Sequence, residues 1–296
     1  MYYFGLMLSL SGIYMLAGAG AAYSLKSGRI NLAGEGLIYL GGFLTAILLD
    51  LFAAIKLPSF FALTFAFALA AAAGALILVF CEFLYKFKGA DFLLTSFITS
   101  SAIIPIIDGL ITGPFRTKSG NLLATAAIAQ NYRFASILKP SPLNAGILAS
   151  IAVCILLHFF FAKTSFGKRT EIYGISPRFS YYSAFACNKI SFTSAAISGA
   201  LHALAGAAAI CGIHFTCHAG FYSGLGWNAL SVAMIARSKP LLIIPLAIGM
   251  SALMTYSSRY ALYSNLDFDV NMLIQALILF MVALVYSPGS RRKSNA

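Results

Sequence analysis

The sequence predicts an all-α integral membrane protein, a polytopic bundle of about 8–10 transmembrane helices, one of them short or re-entrant. Three observations carry this. Of 296 residues, 60% are hydrophobic and only 9% are charged, against roughly 25% charged in a soluble domain. Apolar runs of about 20 residues, the length a helix needs to cross a bilayer, recur along the whole chain. The runs are continuous rather than alternating, which selects helices over a closed barrel, the other structure that satisfies every backbone group in lipid.

The runs place spans near 4–22, 30–51, 58–84, 92–113, 143–162, 191–212, 222–237, 240–257 and 270–287. No basic residue precedes the first run, so Ala17-Gly18-Ala19 reads as part of a retained span rather than a cleavage site. The run 222–237 is short for a full crossing. If it crosses, nine spans result, with the N-terminus outside and the C-terminus inside.

The net charge of +12 supports that orientation. Fourteen of the 20 basic residues fall inside, in groups that include Lys26 and Arg29, Lys86 and Lys88, Lys163 to Lys189, Arg237 and Lys239, and Arg291, Arg292 and Lys293. Six fall outside: Lys56, Arg116, Lys118, Arg133, Lys139 and Arg259. Lys and Arg accumulate in cytoplasmic loops. No basic stripe with interleaved aromatics exists, so nucleic acid is not an expected partner. The five cysteines imply no disulfide framework.

Two loops are long: an external one over 114–142, punctuated by Pro114, Gly120, Pro140 and Pro142, and a basic cytoplasmic one over 164–190. Within the first, Leu122 to Ala129 is mildly apolar and suits a cap over a vestibule or a segment lying on the membrane. Neither loop is long enough for an independent core, so residues 1–296 read as a single transmembrane domain. Its energy source must be another chain or an ion gradient.

The most unusual stretch runs from Ser27 to Gly36. Asn31 and Glu35 are four apart and share a face on a helix, while Gly28, Gly34 and Gly36 permit a break or a close backbone approach. An acid entering a span faces protein or water rather than lipid. Glu35 and Asn31 either brace a broken helix beside a translocation path, or Glu35 sits at the interface and pairs with Lys26 or Arg29. Asp108 is another acid within a run, in a helix that Pro105 kinks. An ion-coupled secondary transporter using Glu35 and Asp108 is the alternative function.

Cys211, His214, Cys217 and His218 do not have a zinc-site spacing, and no metal site is assigned. Phe166-Gly167-Lys168-Arg169 lacks the upstream glycine and the following Ser or Thr of a phosphate-binding loop. The chain therefore reads as a non-enzyme. Small residues recur every fourth position at Ala195, Gly199, Ala203, Ala207 and Cys211, a stripe that lets helices approach closely. In the 164–190 loop, Ser176 suits an N-cap and Pro177 the first turn of a short helix. Phe179, Tyr182 and Phe185 then form an aromatic ridge, suited to docking a soluble partner or to lying on headgroups.

The Gly28 to Gly36 stretch resembles the Gly-x-Ile-Asn-x-x-x-Glu-Gly signature of bacterial ABC importer permeases of the branched-chain amino acid, simple sugar and nucleoside class. The resemblance is nearest to the sugar/nucleoside-type permeases that work with basic-membrane-protein-like lipoproteins. Gly174 to Ala184 is similar to the cytoplasmic coupling segment of that class. Ser198-Gly199-Ala200-Leu201 with Ala205-Gly206 resembles its small-residue helix, and Gly224-x-Gly226 with Leu230-Ser231-Val232-Ala233 its next motif. The resemblance covers roughly residues 15–255. It departs at Arg29, where an apolar residue is usual, at Ser96 for Asn, at Phe179 and Ser180 for two alanines, and at Ala184 for glycine.

The resemblance implies a permease subunit forming half of the path for a nucleoside, a simple sugar or riboflavin. It implies ATPase coupling through Gly174, Pro177, Phe179, Ser180, Tyr182 and Ala184. Asn31, Glu35, Gly36, Ser96 and Asp108 belong to the path or the helix break, and Ala195, Gly199, Ala203 and Gly206 to helix packing. The implied partners are a cytoplasmic ATPase that holds ATP and Mg, a second permease, identical or homologous, and an external substrate-binding lipoprotein. This chain needs no cofactor of its own. The implied location is the bacterial inner membrane, with the C-terminus cytoplasmic.

Overall fold

The computed structural model describes residues 1–117, 122–138, 140–264 and 270–285. Lys118, Gly120, Lys139 and the basic cluster Arg291, Arg292 and Lys293 lie outside these residues. In chain order the helices are α1 Tyr2–Lys26, α2 Gly34–Ala54, α3 Ser59–Lys88, α4 Phe92–Thr112, α5 Gly146–Lys163, α6 Ser165–Ile175, α7 Pro177–Tyr182, α8 Cys187–Ala209, α9 Leu225–Ile235, α10 Pro240–Tyr263 and α11 Val270–Val285. Seven are long and apolar enough to cross a membrane, the α8 segment counted through its π-turn to His214. Two more, α9 and α11, are apolar but shorter.

Local chemistry sets several boundaries. Asp91 caps α4 by accepting from the Leu94 amide at 3.0 Å, and Thr164 caps α6 through the Gly167 amide at 3.0 Å. Ser176 caps α7 through the Phe179 amide at 3.4 Å, with Pro177 in the first turn. Gly89 ends α3 in the left-handed region.

Two boundaries differ from the hydropathy reading. The run 30–51 becomes helical only at Gly34, because 29–33 has no regular secondary structure. The run 222–237 contributes just 11 helical residues. These rise about 16 Å, half of the roughly 30 Å hydrocarbon core. The segment before α9 is turn, and Gly224 is left-handed at φ 78°, so α9 is a half-length helix that begins inside the bundle.

Helices α1 and α8 form the centre, and most of each is buried. Helix α8 packs chiefly on α3, α2 and α1, and α1 also contacts α5, α9 and α10. The small-residue stripe makes these contacts. Gly199 meets Gly74 of α3 backbone to backbone, Ala203 lies against Gly41 of α2, and Gly206 lies against Ile38 and Gly42. An added methyl at Gly41, Gly74, Gly199 or Gly206 overlaps the facing helix, and one at Gly42 meets the Phe221 ring. Helices α3, α4 and α5 turn most of their surface outward and present residues such as Phe60, Phe65 and Leu76 to lipid.

The two ends of the bundle differ. One gathers Lys26, Lys86, Lys88 and Lys163 at helix termini beside α6 and α7. At the other, residues 122–138 fold over the end of α8. Thr125, Ile128 and Phe134 donate backbone hydrogen bonds, each 2.9 Å, to the carbonyls of Cys217, Phe215 and Cys211. The Leu122 to Ala129 stretch thus caps the bundle rather than lying alongside it.

Candidate translocation site and coupling face

The break between α1 and α2 is irregular backbone held by hydrogen bonds from its surroundings. Gly28 turns the chain at φ 77°. The amides that follow find partners one by one: Arg29 on the Ser24 carbonyl at 3.0 Å, Leu32 on Ser96 Oγ at 3.1 Å, Ala33 on Asn31 Oδ1 at 2.8 Å and Gly36 on Ser100 Oγ at 2.9 Å. Asn31 is buried and its Nδ2 donates to Ser198 Oγ of α8 at 3.2 Å. Non-helical backbone within a membrane protein survives only where protein or a water-filled cavity satisfies it; here the Ser96 and Ser100 hydroxyls of α4 and the Asn31 side chain contribute, and Ser198 of α8 holds Asn31 in place. Ser100 was not visible as a site residue in sequence, though it stands one turn beyond Ser96.

Glu35 lies in the first turn of α2. Its Oε1 accepts from the Gly224 amide at 2.8 Å, at the start of α9. Two helix N-termini therefore meet at one carboxylate, where their dipoles favour negative charge. Gly226 packs directly on Gly34 and Glu35, and Gly34 lies against His202, midway along the α8 segment. A half-length helix such as α9, with its N-terminus aimed into the bundle, is a recurring construction of transporter binding sites. Glu35 does not pair with Lys26 or Arg29. Lys26 Nζ bonds Glu171 of α6 at 2.8 Å, and Arg29 is taken by Glu82.

Asp108 lies apart from that junction. It accepts from the Tyr39 hydroxyl at 2.5 Å, and the Tyr39 ring stacks on Tyr222 at 4.5 Å between centroids. Both acids of the alternative, ion-coupled reading are thus engaged by neutral donors. His214 and His218 lie edge to face at 4.9 Å, with Phe221 beside them.

Beside Glu35 opens a cavity of about 500 Å³, within the range of small-molecule sites. Helices α1, α9, α10 and α11 and the segment 213–224 line it. Its walls carry the rings of Tyr14, Phe221 and Trp227, and among its polar groups are Asn228 and Thr255. Sequence reasoning missed these two, because each is a lone polar residue in an apolar run.

At the basic end, α6 is tied to the break. Gly174 lies on the Lys26 carbonyl and the Gly28 amide, an approach that a side chain at either glycine blocks. Glu82 of α3, 0% exposed, accepts from Arg29 Nε and Nη2, both at 3.3 Å, and from the Ser191 hydroxyl of α8. Arg29 also reaches the Tyr173 hydroxyl of α6 at 3.5 Å and stacks over the Tyr85 ring at 3.9 Å. Burial acts against the Arg29 charge, but the hydrogen bonds and charge of Glu82 outweigh it and raise the guanidinium pKa. Sequence reasoning missed Glu82, although an acid within the 58–84 run is itself a signal, and its partner lies 53 positions away.

Beyond α6, helix α7 is uncovered. Phe179 is 55% and Tyr182 84% exposed, with Tyr181 uncovered beside them. Pro177 and Ala184 are exposed, Gly174 is half-buried against the break, and Ser180 points inward. The expected ridge is altered at one place. Phe185 does not continue it, because α7 stops at Tyr182 and Ala184 is left-handed at φ 55°; Phe185 is half-buried with Arg169 over its ring.

A multi-pass helical bundle in which a full-length and a half-length helix meet N-terminus to N-terminus at an acid, with an uncovered turn at its basic end, is built as a membrane transport protein. Over residues 3–284 the chain matches the family model described as branched-chain amino acid transport system, permease component. It belongs to that family, and is the permease component of an ABC-type import system for small polar solutes. It is 30% identical to the probable riboflavin import permease of Treponema pallidum, over 94% of this chain and 73% of that one. It is 24% identical to the guanosine ABC transporter permease of Bacillus subtilis, over 97% and 82%. With the glucose ABC transporter permease of Haloferax volcanii it shares 22%, over 90% and 73%. No solved structure matches the chain.

Proposed function

We propose that residues 1–296 form one permease domain that lines half of the path of an ATP-driven importer in a bacterial cytoplasmic membrane, its C-terminus cytoplasmic. A second permease, identical or homologous, supplies the other half. An ATPase binds ATP and Mg and docks on α7 within the cytoplasmic loop 164–190. An external lipoprotein delivers the solute to the face covered by the 114–142 loop. The solute is riboflavin or a nucleoside, a class supported by two of the relatives.

The observation that carries this reading is the position of α7. Its aromatic side chains are uncovered, while α6 behind it is fastened to the α1–α2 break through Lys26–Glu171, Gly28–Gly174 and Arg29–Tyr173. The same break leads within a few residues to Glu35 and the cavity. Movement imposed on α7 is thereby delivered to the half-helix junction. In this account Phe179 and Tyr182 contact the ATPase, Gly174 and Ser180 hold the docking turn against the bundle, and Asn31, Gly36 and Ser96 hold the break.

Co-purification with the ATPase tests the docking. Phe179→Asp combined with Tyr182→Asp replaces two uncovered rings with charge and leaves buried packing untouched. The expected result is a permease at wild-type abundance that no longer retains the ATPase. Retention at the wild-type level contradicts the assignment.

A further inference from the structure

We infer that the cavity beside Glu35 is a solute site in which Asn228 and Thr255 hydrogen-bond the cyclic N–H/C=O edge of a neutral planar heterocycle.

Asn228 and Thr255 are 3% and 6% exposed, and both line the cavity. Asn228 Nδ2 gives one of its two N–H groups to the Tyr14 hydroxyl at 3.1 Å, whereas its Oδ1 has no partner. Thr255 Oγ1 has none either. A buried polar atom left unpaired costs free energy, and such an atom in a native structure calls for a ligand or water. Asn228 Oδ1 accepts only, so the ligand must donate to it; the Thr255 hydroxyl can donate in return. A lactam or imide edge presents that donor beside that acceptor. The remaining walls include Tyr14, Phe221, Trp227 and Met254, which suit the faces of a ring. Glu35 and Arg259 both line the cavity and are opposite in charge, so the lining calls for no net charge on the solute.

This inference rests on the importer reading above and fails separately from it. The test uses the complete transporter, with its ATPase and binding protein, in proteoliposomes. ATP-dependent uptake is measured for riboflavin, guanosine, their analogues methylated at the ring N–H, and glucose. The wild type is expected to carry a heterocycle and to discriminate against its methylated form. Asn228→Leu is expected to slow uptake of the parent heterocycle about tenfold, the order of one lost buried hydrogen bond, and to narrow the discrimination. Thr255→Val keeps side-chain shape and is expected to act in the same direction, so the test stands if Asn228→Leu fails to assemble. Unchanged rates and discrimination in both variants overturn the inference and leave the importer intact. So does ATP-dependent uptake of glucose alone. Absence of ATP-dependent uptake for every solute overturns the importer reading itself, and the inference with it.

Discussion

Arg29 and Glu82 give the sharpest test of how the break is held. Arg29→Met removes the guanidinium from a carboxylate that is 0% exposed and leaves it with the Ser191 hydroxyl alone among the hydrogen bonds described above. Breaking one side of a buried pair costs about 3–5 kcal/mol, because the remaining charge is stranded. Glu82→Met is the milder change. Arg29 retains 16% side-chain exposure, the Tyr173 hydroxyl and the Tyr85 ring, and its long stem lets the charge move toward water. We expect a cost nearer 1–3 kcal/mol, the penalty for an unsatisfied polar group. The double variant Arg29→Met/Glu82→Met leaves no charge stranded and is expected to recover most of the larger loss, since apolar replacement of a whole buried pair is often near neutral. Stability of the purified permease against denaturing detergent, measured for wild type, both single variants and the double, completes the cycle. Additive losses, or a Glu82→Met cost above that of Arg29→Met, refute the reasoning.

Two further outcomes follow from the same geometry. Ala184→Gly relieves a left-handed backbone at φ 55°, worth about 1–2 kcal/mol less the added chain entropy of glycine. A net gain in thermal stability of the detergent-purified permease is expected, and a loss contradicts the strain argument. Ser100→Ala strips the Gly36 amide of its acceptor and should cost about 1–3 kcal/mol; an unchanged unfolding midpoint refutes the role given to that hydroxyl.

Continuous apolarity made the helices legible, and each of the nine apolar runs corresponds to one of the nine apolar helices. It misled where tertiary hydrogen bonds override it. Ile30, Leu32 and Ala33 extend the run that becomes α2, yet their segment is held out of the helix, with the Leu32 amide on Ser96 and the Ala33 amide on the Asn31 side chain. Asn31 and Glu35 stood out in sequence because an amide and an acid are costly in a span. Their actual partners, Ser198 and the Gly224 amide, are 167 and 189 positions away, beyond any local pattern. Glu82 was passed over in sequence, although it too is an acid in an apolar run; its meaning depends on Arg29, 53 positions away. Asn228 and Thr255 carry no sequence signal, since single amides and hydroxyls are common in apolar helices; only an unfilled hydrogen-bonding position inside a cavity distinguishes them.

The central claim is that this chain moves its solute when an ATPase docked on α7 drives it. Uptake of riboflavin or guanosine into proteoliposomes holding the assembled transporter tests this directly, with ATP supplied or withheld and with an ionophore present or absent. The account predicts uptake that requires ATP, ignores the ionophore and is lost in the Phe179→Asp/Tyr182→Asp variant. Uptake that persists without ATP and collapses with the ion gradient contradicts it.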